Sequence, residues 1–277
     1  MRIALAQFDS AIGDVRGNLA RIRDLVAEAA AQQADLIVFP ELATHGYWLG
    51  EATDSESLGA ADPRLAELST GGPDVLVGFH EQASLRSYNA AAYLSQGRVV
   101  HVHRKLYLPT YLSWEERKHS SPGQALRAFD TPHGRAAILI CNDAWQPVLP
   151  WLAAQDGAEL MLVPANSAAP DDPSRLDTIE YWEQLLVGIA RMQQCWLVFV
   201  NRAGTEAGVR FWGGSRVLDP GGAVVAQAPR WEETLTLVDV EVPAARRRRR
   251  EVPFLAEARL ALIEREVRRL LEQGGDG

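Results

Sequence analysis

Three short stretches of the chain hold the residues best suited to chemistry. Cys141 closes the apolar run in "AAILICNDAWQP" (136–147), which then breaks at once into Asn142 and Asp143. A cysteine at the end of such a run is first of all a small buried hydrophobe. Two polar residues directly after a buried strand, however, must find specific partners. With the strand ending at Ile140 and Pro147 in the first turn of a helix, the sulfur would lie beside unpaired N–H groups and a positive helix end, a setting that favours thiolate. Glu41, in "FPELATHGY", follows the apolar "DLIVFP" and so falls at the C-terminal edge of a sheet, where open α/β sheets bind ligands; a turn or helix cap is the other reading. Lys105 follows the strand-like "RVVHVHR". Only Lys105 and Lys118 among 28 basic residues are lysine, which marks both as places where a wide guanidinium does not replace a compact ammonium. A plain surface lysine is the alternative. A carboxylate, an ammonium and a thiol at three strand ends make a complete set for acyl transfer: a base, a cation for a developing oxyanion and a nucleophile. The six histidines offer no Cys-His protease context, and Cys195, opening a wholly apolar strand, reads as core.

The elements that must position these groups follow from periodicity. Residues 1–8 and 35–39 are strand-like, and "RGNLARIRDLVAEAAAQQA" between them repeats at helical spacing. A weak helix at 65–68 precedes three strands, "DVLVGFHE", "YNAAAYLS" and "RVVHVHR", and then a long polar loop over 105–123. "ALRAFDT" and "RAAILIC" read as an antiparallel pair, "PVLPWLAAQDG" as a helix, and "AELMLVPA" as a strand. "DTIEYWEQLLVGIARMQQ" is an amphipathic helix and "CWLVFVN" a fully buried strand. "SRVLDPGGAVVAQAP" is a hairpin, "TLTLVDVEV" a strand, and a last helix runs from about 253 to 271. Alternating strands and helices with interspersed hairpins imply an α/β fold of sheets covered by helices. No linker divides the chain, so residues 1–277 are expected to form a single domain. The arginine run 246–250 reads as a solvated segment entering the last helix.

Bulk properties bound the function. A net charge of −8 with a pI near 5.3 argues against nucleic acid as the main partner and favours a small one. Two cysteines are too few for a disulfide framework, and no run approaches a membrane span or a secretory signal, so a cytoplasmic protein without membrane attachment is expected. His101 and His103 alternate on one strand face without nearby carboxylates and are read as structural rather than as a metal site.

In order and separation the three stretches resemble the motifs of the nitrilase superfamily, the carbon–nitrogen hydrolases: "FPELATHGY" the glutamate motif, "RKLYLPTY" the lysine motif, "LICNDAWQP" the cysteine motif. Further similarity lies in "IALAQFDSAIGDVRGNLARI", "SPG", "GAELMLVPAN", "VNRAG" and "FWGGSRVLDPGGAVVAQA", covering about residues 2–260. The resemblance implies Glu41 as general base, Lys105 as stabiliser of the tetrahedral intermediate and Cys141 as nucleophile, with no metal or cofactor. It implies a second glutamate in "SWEER", placed at Glu116 rather than Glu115. The usual aromatic residue just beyond is absent from "RKHSSPG", which leaves that pocket wall undefined. The resemblance also implies a four-layer αββα sandwich and a homodimer or larger homo-oligomer across a helical face, with the segment 243–277 helical and engaged in oligomer contacts.

Hydrolysis of a small amide or N-carbamoyl compound through a thioester is the expected reaction, Lys105 and the Asn142 N–H holding the oxyanion. Tyr47, Tyr111, Trp145 and Asn166, together with Asn142, are expected to line the pocket. Arg175 and Asp171–Asp172, in the loop after "VPANSAAP", read as solvated loop or as contacts for a charged substrate tail. A nitrilase is disfavoured because "ICNDAWQP" lacks the Trp-Glu pair that follows that group's cysteine. A binding module on the same fold would be expected to have lost one of the three groups, and a glutaminase half would need a partner to receive ammonia.

Overall fold

The computed structural model describes residues 1–47, 50, 56–111, 114–170 and 172–274. The first half of the chain forms β1 (Arg2–Gln7), α1 (Val15–Ala31), β2 (Leu36–Val38), the short α2 (Pro63–Ala66), and β3 (Asp74–Ala83), β4 (Arg86–Ser95) and β5 (Arg98–Arg104). The second half forms β6 (Phe129–Thr131), β7 (Gly134–Ile138), α3 (Val148–Gln155), β8 (Leu160–Ala165), α4 (Thr178–Gln193) and β9 (Trp196–Asn201). It continues with β10 (Ala203–Glu206), β11 (Val209–Trp212), β12 (Arg216–Leu218), β13 (Val224–Gln227), β14 (Thr234–Asp239), α5 (Pro243–Glu251) and α6 (Leu260–Glu272).

Two six-stranded sheets result, in the orders β14-β1-β2-β3-β4-β5 and β13-β12-β9-β8-β7-β6. In each, three parallel strands are flanked by antiparallel neighbours, so the second sheet, taken from β6 to β13, repeats the pairing pattern of the first. The central strands are apolar on both faces, which is why they read as unbroken runs rather than alternations. Ile3, Leu5, Leu36 and Val38 point inward against Ile138, Leu160, Leu162 and Val198, filling the space between the sheets. Their neighbours Ala4, Ala6 and Ile37 face Leu19, Ile22 and Val26 of α1. On the opposite side Met161, Val163, Leu197 and Phe199 pack against Leu149 of α3 and Trp182 and Leu186 of α4. The order is helix, sheet, sheet, helix: the αββα sandwich. Helix starts are fixed locally, with the Asp14 carboxylate accepting from Gly17 N and Asp177 from Ile179 N and Glu180 N.

The structure departs from the sequence expectations in four places. The strand expected to end at Ile140 ends at Ile138, and Cys141 opens a 3₁₀ turn, Cys141–Asp143, instead of closing the strand. The strand expected over 125–131 is confined to Phe129–Thr131, because the Ala128 N–H is taken by the Asp156 carboxylate. The hairpin β10–β11 is additional. The last helix, expected from about 253 to 271, begins only at Leu260, and a separate helix, α5, precedes it: Val252, before Pro253, adopts φ −133°, ψ 91°, the extended backbone that a following proline favours, and ends α5. The arginine run consequently lies in α5. It is not simply solvated: Arg246 pairs with Glu159, Arg247 with Glu241, and Arg249 donates to the carbonyl of Ala158, between α3 and β8, and to that of Gln193 at the C-terminal end of α4.

Candidate active site

The groups singled out in the sequence converge on one end of the sandwich. Glu41 lies in the turn after β2 and is 1% exposed. Its Oε1 accepts from Asn89 Nδ2 (2.7 Å) and Lys105 Nζ (2.6 Å), its Oε2 from the Asn166 backbone N–H (2.8 Å), and its own carbonyl from Asn166 Nδ2 (2.8 Å). That turn lies flat on β3 because residue 78 is glycine: a Cβ there would stand 2.4 Å from Leu42 N and 2.5 Å from Pro40 O. Lys105, just past β5, is fully buried, and Nζ also donates to Glu116 Oε1 (2.6 Å). Glu116 sits in the 3₁₀ turn Glu116–Lys118, where the Tyr47 hydroxyl donates to the same Oε1. Glu116 Oε2 is buried without a hydrogen-bond partner among the described residues.

Cys141 has φ 45°, a left-handed conformation rare for a residue with a Cβ. Asp143 over-determines that turn. Its Oδ1 accepts the N–H groups of Leu106 and Tyr107 (2.9 Å each), and its Oδ2 accepts from Ile140 N (3.1 Å) and lies 2.9 Å from His103 Nε2. One carboxylate thus ties the cysteine turn to the loop that begins at Lys105. The Asp143 carboxylate beside His103 corrects the expectation that neither histidine has a carboxylate nearby, and His101 stacks on Phe129 at 4.3 Å. No cluster of three or more metal-ligating side chains occurs among the described residues.

The electrostatics follow from burial. It works to lower the Lys105 pKa, but the charges of Glu116 and Glu41 outweigh it and hold the ammonium well above its ordinary value. Glu116 is pushed up to about 7, mainly by burial, with Lys105 opposing. The Cys141 thiol is pushed well above its ordinary value by burial and by Glu41. This corrects the expectation of a setting that favours thiolate: α3 begins only at Val148, seven residues on, and the nearer influences are desolvation and a carboxylate. A thiol held in its neutral form needs a base at the moment of attack.

A cavity of about 410 Å³ opens above Cys141, and Tyr47, Tyr111, Asn142, Trp145 and Asn166 all lie on its wall. Trp145 stacks on Tyr181 at 4.7 Å, and Asn142 is braced by its Nδ2 donating to Tyr107 O (3.2 Å). Arg175 and Asp172 also line the cavity rather than merely its surroundings; Asp171 lies outside the described residues. Glu115 pairs with Lys118 at the surface, where Lys118 is 65% exposed. The scarcity of lysine therefore pointed to the site at one position and not at the other. Sequence reasoning passed over Asn89 and Arg202, and it required a partner for Asp143 without finding one. Their signals were a polar residue inside "YNAAAYLS", the unexplained Asn-Asp pair, and an arginine directly after the apolar "CWLVFVN".

The family profile described as "Carbon-nitrogen hydrolase" matches residues 2–250. Omega-amidase NIT2 of Bos taurus is 28% identical, over 97% of this chain and 98% of that protein. The glutamine-dependent NAD(+) synthetase of Acinetobacter baylyi is 28% identical over 88% of this chain, which spans only 45% of the synthetase. Among solved structures, a mutant of the amidase from Nesterenkonia sp. AN1, with acrylamide attached by Michael addition at its active site cysteine, superposes with a TM-score of 0.75 at 27% identity, covering 91% of this chain and 98% of that one. On the extent of the profile match, the chain belongs to the carbon–nitrogen hydrolase family of the nitrilase superfamily.

Proposed function

We propose that the protein hydrolyses the non-peptide C–N bond of a small amide or N-carbamoyl compound through a thioester on Cys141, releasing ammonia. The observation that carries this reading is Lys105 Nζ clasped by Glu41 and Glu116 near a neutral, half-buried thiol on the floor of the cavity. Glu41 accepts the thiol proton as the sulfur attacks the carbonyl carbon. The C=O electron pair moves onto oxygen, where Lys105 and the Asn142 N–H meet the charge. Collapse of this intermediate breaks the C–N bond, the nitrogen takes the proton from Glu41, and ammonia leaves. A water that gives a proton to Glu41 then attacks the thioester, and the proton returns to sulfur as the acid departs. Glu116 orients Lys105 or the substrate nitrogen. The side chains supply every proton and charge that these steps require, so the chemistry calls on no cofactor.

Tyr47, Tyr111 and Trp145 would give the pocket aromatic walls for a compact acyl group, and Arg175 and Asp172 would place both signs of charge within reach of a substrate tail. The similarity to NAD(+) synthetases favours a second reading of the same site, an amidohydrolase that passes ammonia to a separate partner. We place the protein in the cytoplasm as a homodimer or larger homo-oligomer. Supporting the oligomer, α6 exposes Leu260, Ile263, Val267 and Leu270 on one face; no described helix is long and apolar enough to cross a membrane.

Ammonia release from a panel of small amides, glutamine, N-carbamoyl compounds and nitriles tests the reading. At least one amide or carbamoyl compound is expected to be turned over and Cys141→Ala to abolish it. Turnover of nitriles alone, release that survives Cys141→Ala, or inactivity across the panel overturns it, the last in favour of a binding module.

A further inference from the structure

Behind Tyr47 lies a second buried charge cluster that the reaction steps leave unused. Arg202, at the head of the β10–β11 hairpin, has a side chain 2% exposed. Its Nε and Nη2 donate to Asp9 Oδ1 (3.0 and 2.7 Å), Nη2 also to Ser10 O (2.6 Å), and Nη1 to Glu206 Oε2 (2.7 Å). The guanidinium lies 4.7 Å over the Phe211 ring. The other oxygen of Glu206 accepts the backbone N–H of Tyr47 (2.9 Å). Tyr47 in turn donates its hydroxyl to the Glu116 oxygen that receives Lys105. The backbone is shaped to this contact: Gly46 has φ +80°, and a Cβ there would stand 2.6 Å from Glu206 Oε2.

We propose that Glu206, anchored by Arg202, is a positioning residue for the reaction: by fixing the Tyr47 backbone it keeps the Tyr47 hydroxyl on Glu116 and thereby the Glu116 carboxylate on Lys105 Nζ. The role rests on the proposed amide hydrolysis for the tasks given to Lys105 and Glu116. Glu116 is faced by Lys105 from the end of β5, Glu41 from the end of β2, Tyr47 from the turn after Glu41, and Tyr111 and Cys141 across the cavity floor. The Tyr47 hydroxyl favours the charged carboxylate, so losing it must move the Glu116 titration, near 7 in the intact site, to higher pH.

The test uses Glu206→Ala, Tyr47→Phe and the double variant, read in two ways. Alkylation of Cys141 by iodoacetamide as a function of pH needs no amide substrate; kcat and KM are measured across pH on whichever amide the wild type turns over. Glu206→Ala is expected to lower kcat roughly tenfold or more with a smaller change in KM, as a misplaced group does. The inflection assigned to Glu116 should rise in both profiles. Tyr47→Phe should raise it similarly, and the double variant no further, because both act through one hydrogen bond. A Glu206→Ala protein with lowered Tm but a wild-type pH profile, or shifts that add in the double variant, overturns the proposal. Should Glu206→Ala not fold, Glu206→Gln carries the test: it keeps an oxygen for the Tyr47 N–H but loses the charge facing Arg202, and a smaller shift in the same direction is expected. No shift in Glu206→Gln beside a shifted Tyr47→Phe counts against it. If the alkylation profiles behave as expected while no amide is turned over, the positioning role stands and the amide reading falls.

Discussion

Two buried cations of this molecule, Lys105 and Arg202, each stand between two carboxylates, and the contrast between them separates chemistry from architecture. Arg202 spends its fork on fixed partners: Asp9 twice, Ser10 O, Glu206, and the face of Phe211. Its geometry is closed. Lys105 is a point charge on a thin stem that meets Glu41 and Glu116 through one oxygen of each, and Glu116 keeps a buried oxygen without a partner among the described residues. Its geometry is open in that these two acceptors engage an ammonium that carries three N–H donors. A guanidinium at 105 would bind the carboxylates in a wide, fixed fork and leave no compact, adjustable donor for a developing oxyanion. An ammonium at 202 would not span Asp9, Ser10 and Glu206 together. On the proposed mechanism, the residue with few, adjustable contacts stands where charge must change during the reaction, and the residue with many stands where it must not.

The largest effects should come from removing either cation. Arg202→Met leaves Asp9 and Glu206 uncompensated and is expected to cost about 3–5 kcal/mol of stability in denaturant unfolding. Lys105→Met should cost a similar amount and also abolish ammonia release, whereas Lys105→Arg should keep the fold better but lower kcat by at least about 10²-fold. If Lys105→Arg were fully active, the distinction between open and closed clusters would collapse.

A middle-sized effect tests the under-satisfied carboxylate. Glu116 is raised from 4.5 to about 7 in the folded chain. The fold therefore binds this proton more tightly than the unfolded chain does. The stability linked to it is present below pH 4.5 and is lost as pH rises through about 7. Glu116→Gln removes that linkage. Unfolding measured from pH 5 to 8 should show the variant gaining on the wild type as pH rises, by an amount on the order of a few kcal/mol at most. An unchanging difference across that range would mean that Glu116 is as well satisfied as Glu206.

The smallest effect belongs to the other lysine. Lys118 pairs with Glu115 at the surface, and Lys118→Arg or Lys118→Ala should change stability by no more than about 0.5 kcal/mol and leave kcat/KM unaltered. A larger loss of activity would show that the polar loop carrying Glu116 depends on its surface pair as well as on Tyr47.

Much of this site was legible before any coordinates because its groups interrupt strong local patterns. Glu41 and Cys141 follow apolar runs that can only be buried strands, and Lys105 departs from an arginine-dominated composition. Partners distant in the chain were not legible. Asn89 reaches Glu41 across 48 positions, Asp143 reaches Leu106 across 37, and Arg202 reaches Asp9 across 193. Periodicity reports which face of an element is buried, and says nothing about which loop lies over it. Helix α5 is a different matter: the arginine run was read as a segment entering the last helix rather than as a helix of its own, although Pro253, which closes it, was visible in the sequence.

By itself, then, the sequence determined sheets covered by helices and the points just past apolar runs where a carboxylate, an ammonium and a thiol fall, because burial on both faces of a strand leaves an unbroken apolar run; the stacking of two sheets was carried by the family resemblance and not by periodicity. Only the tertiary structure decided the states of those groups. The 3₁₀ turn that gives Cys141 a left-handed backbone, the burial that keeps its thiol neutral, and the two carboxylates that keep Lys105 charged all depend on what is near in space and dry. A protonation state reflects solvent and neighbouring charge, which the fold supplies and residue order does not.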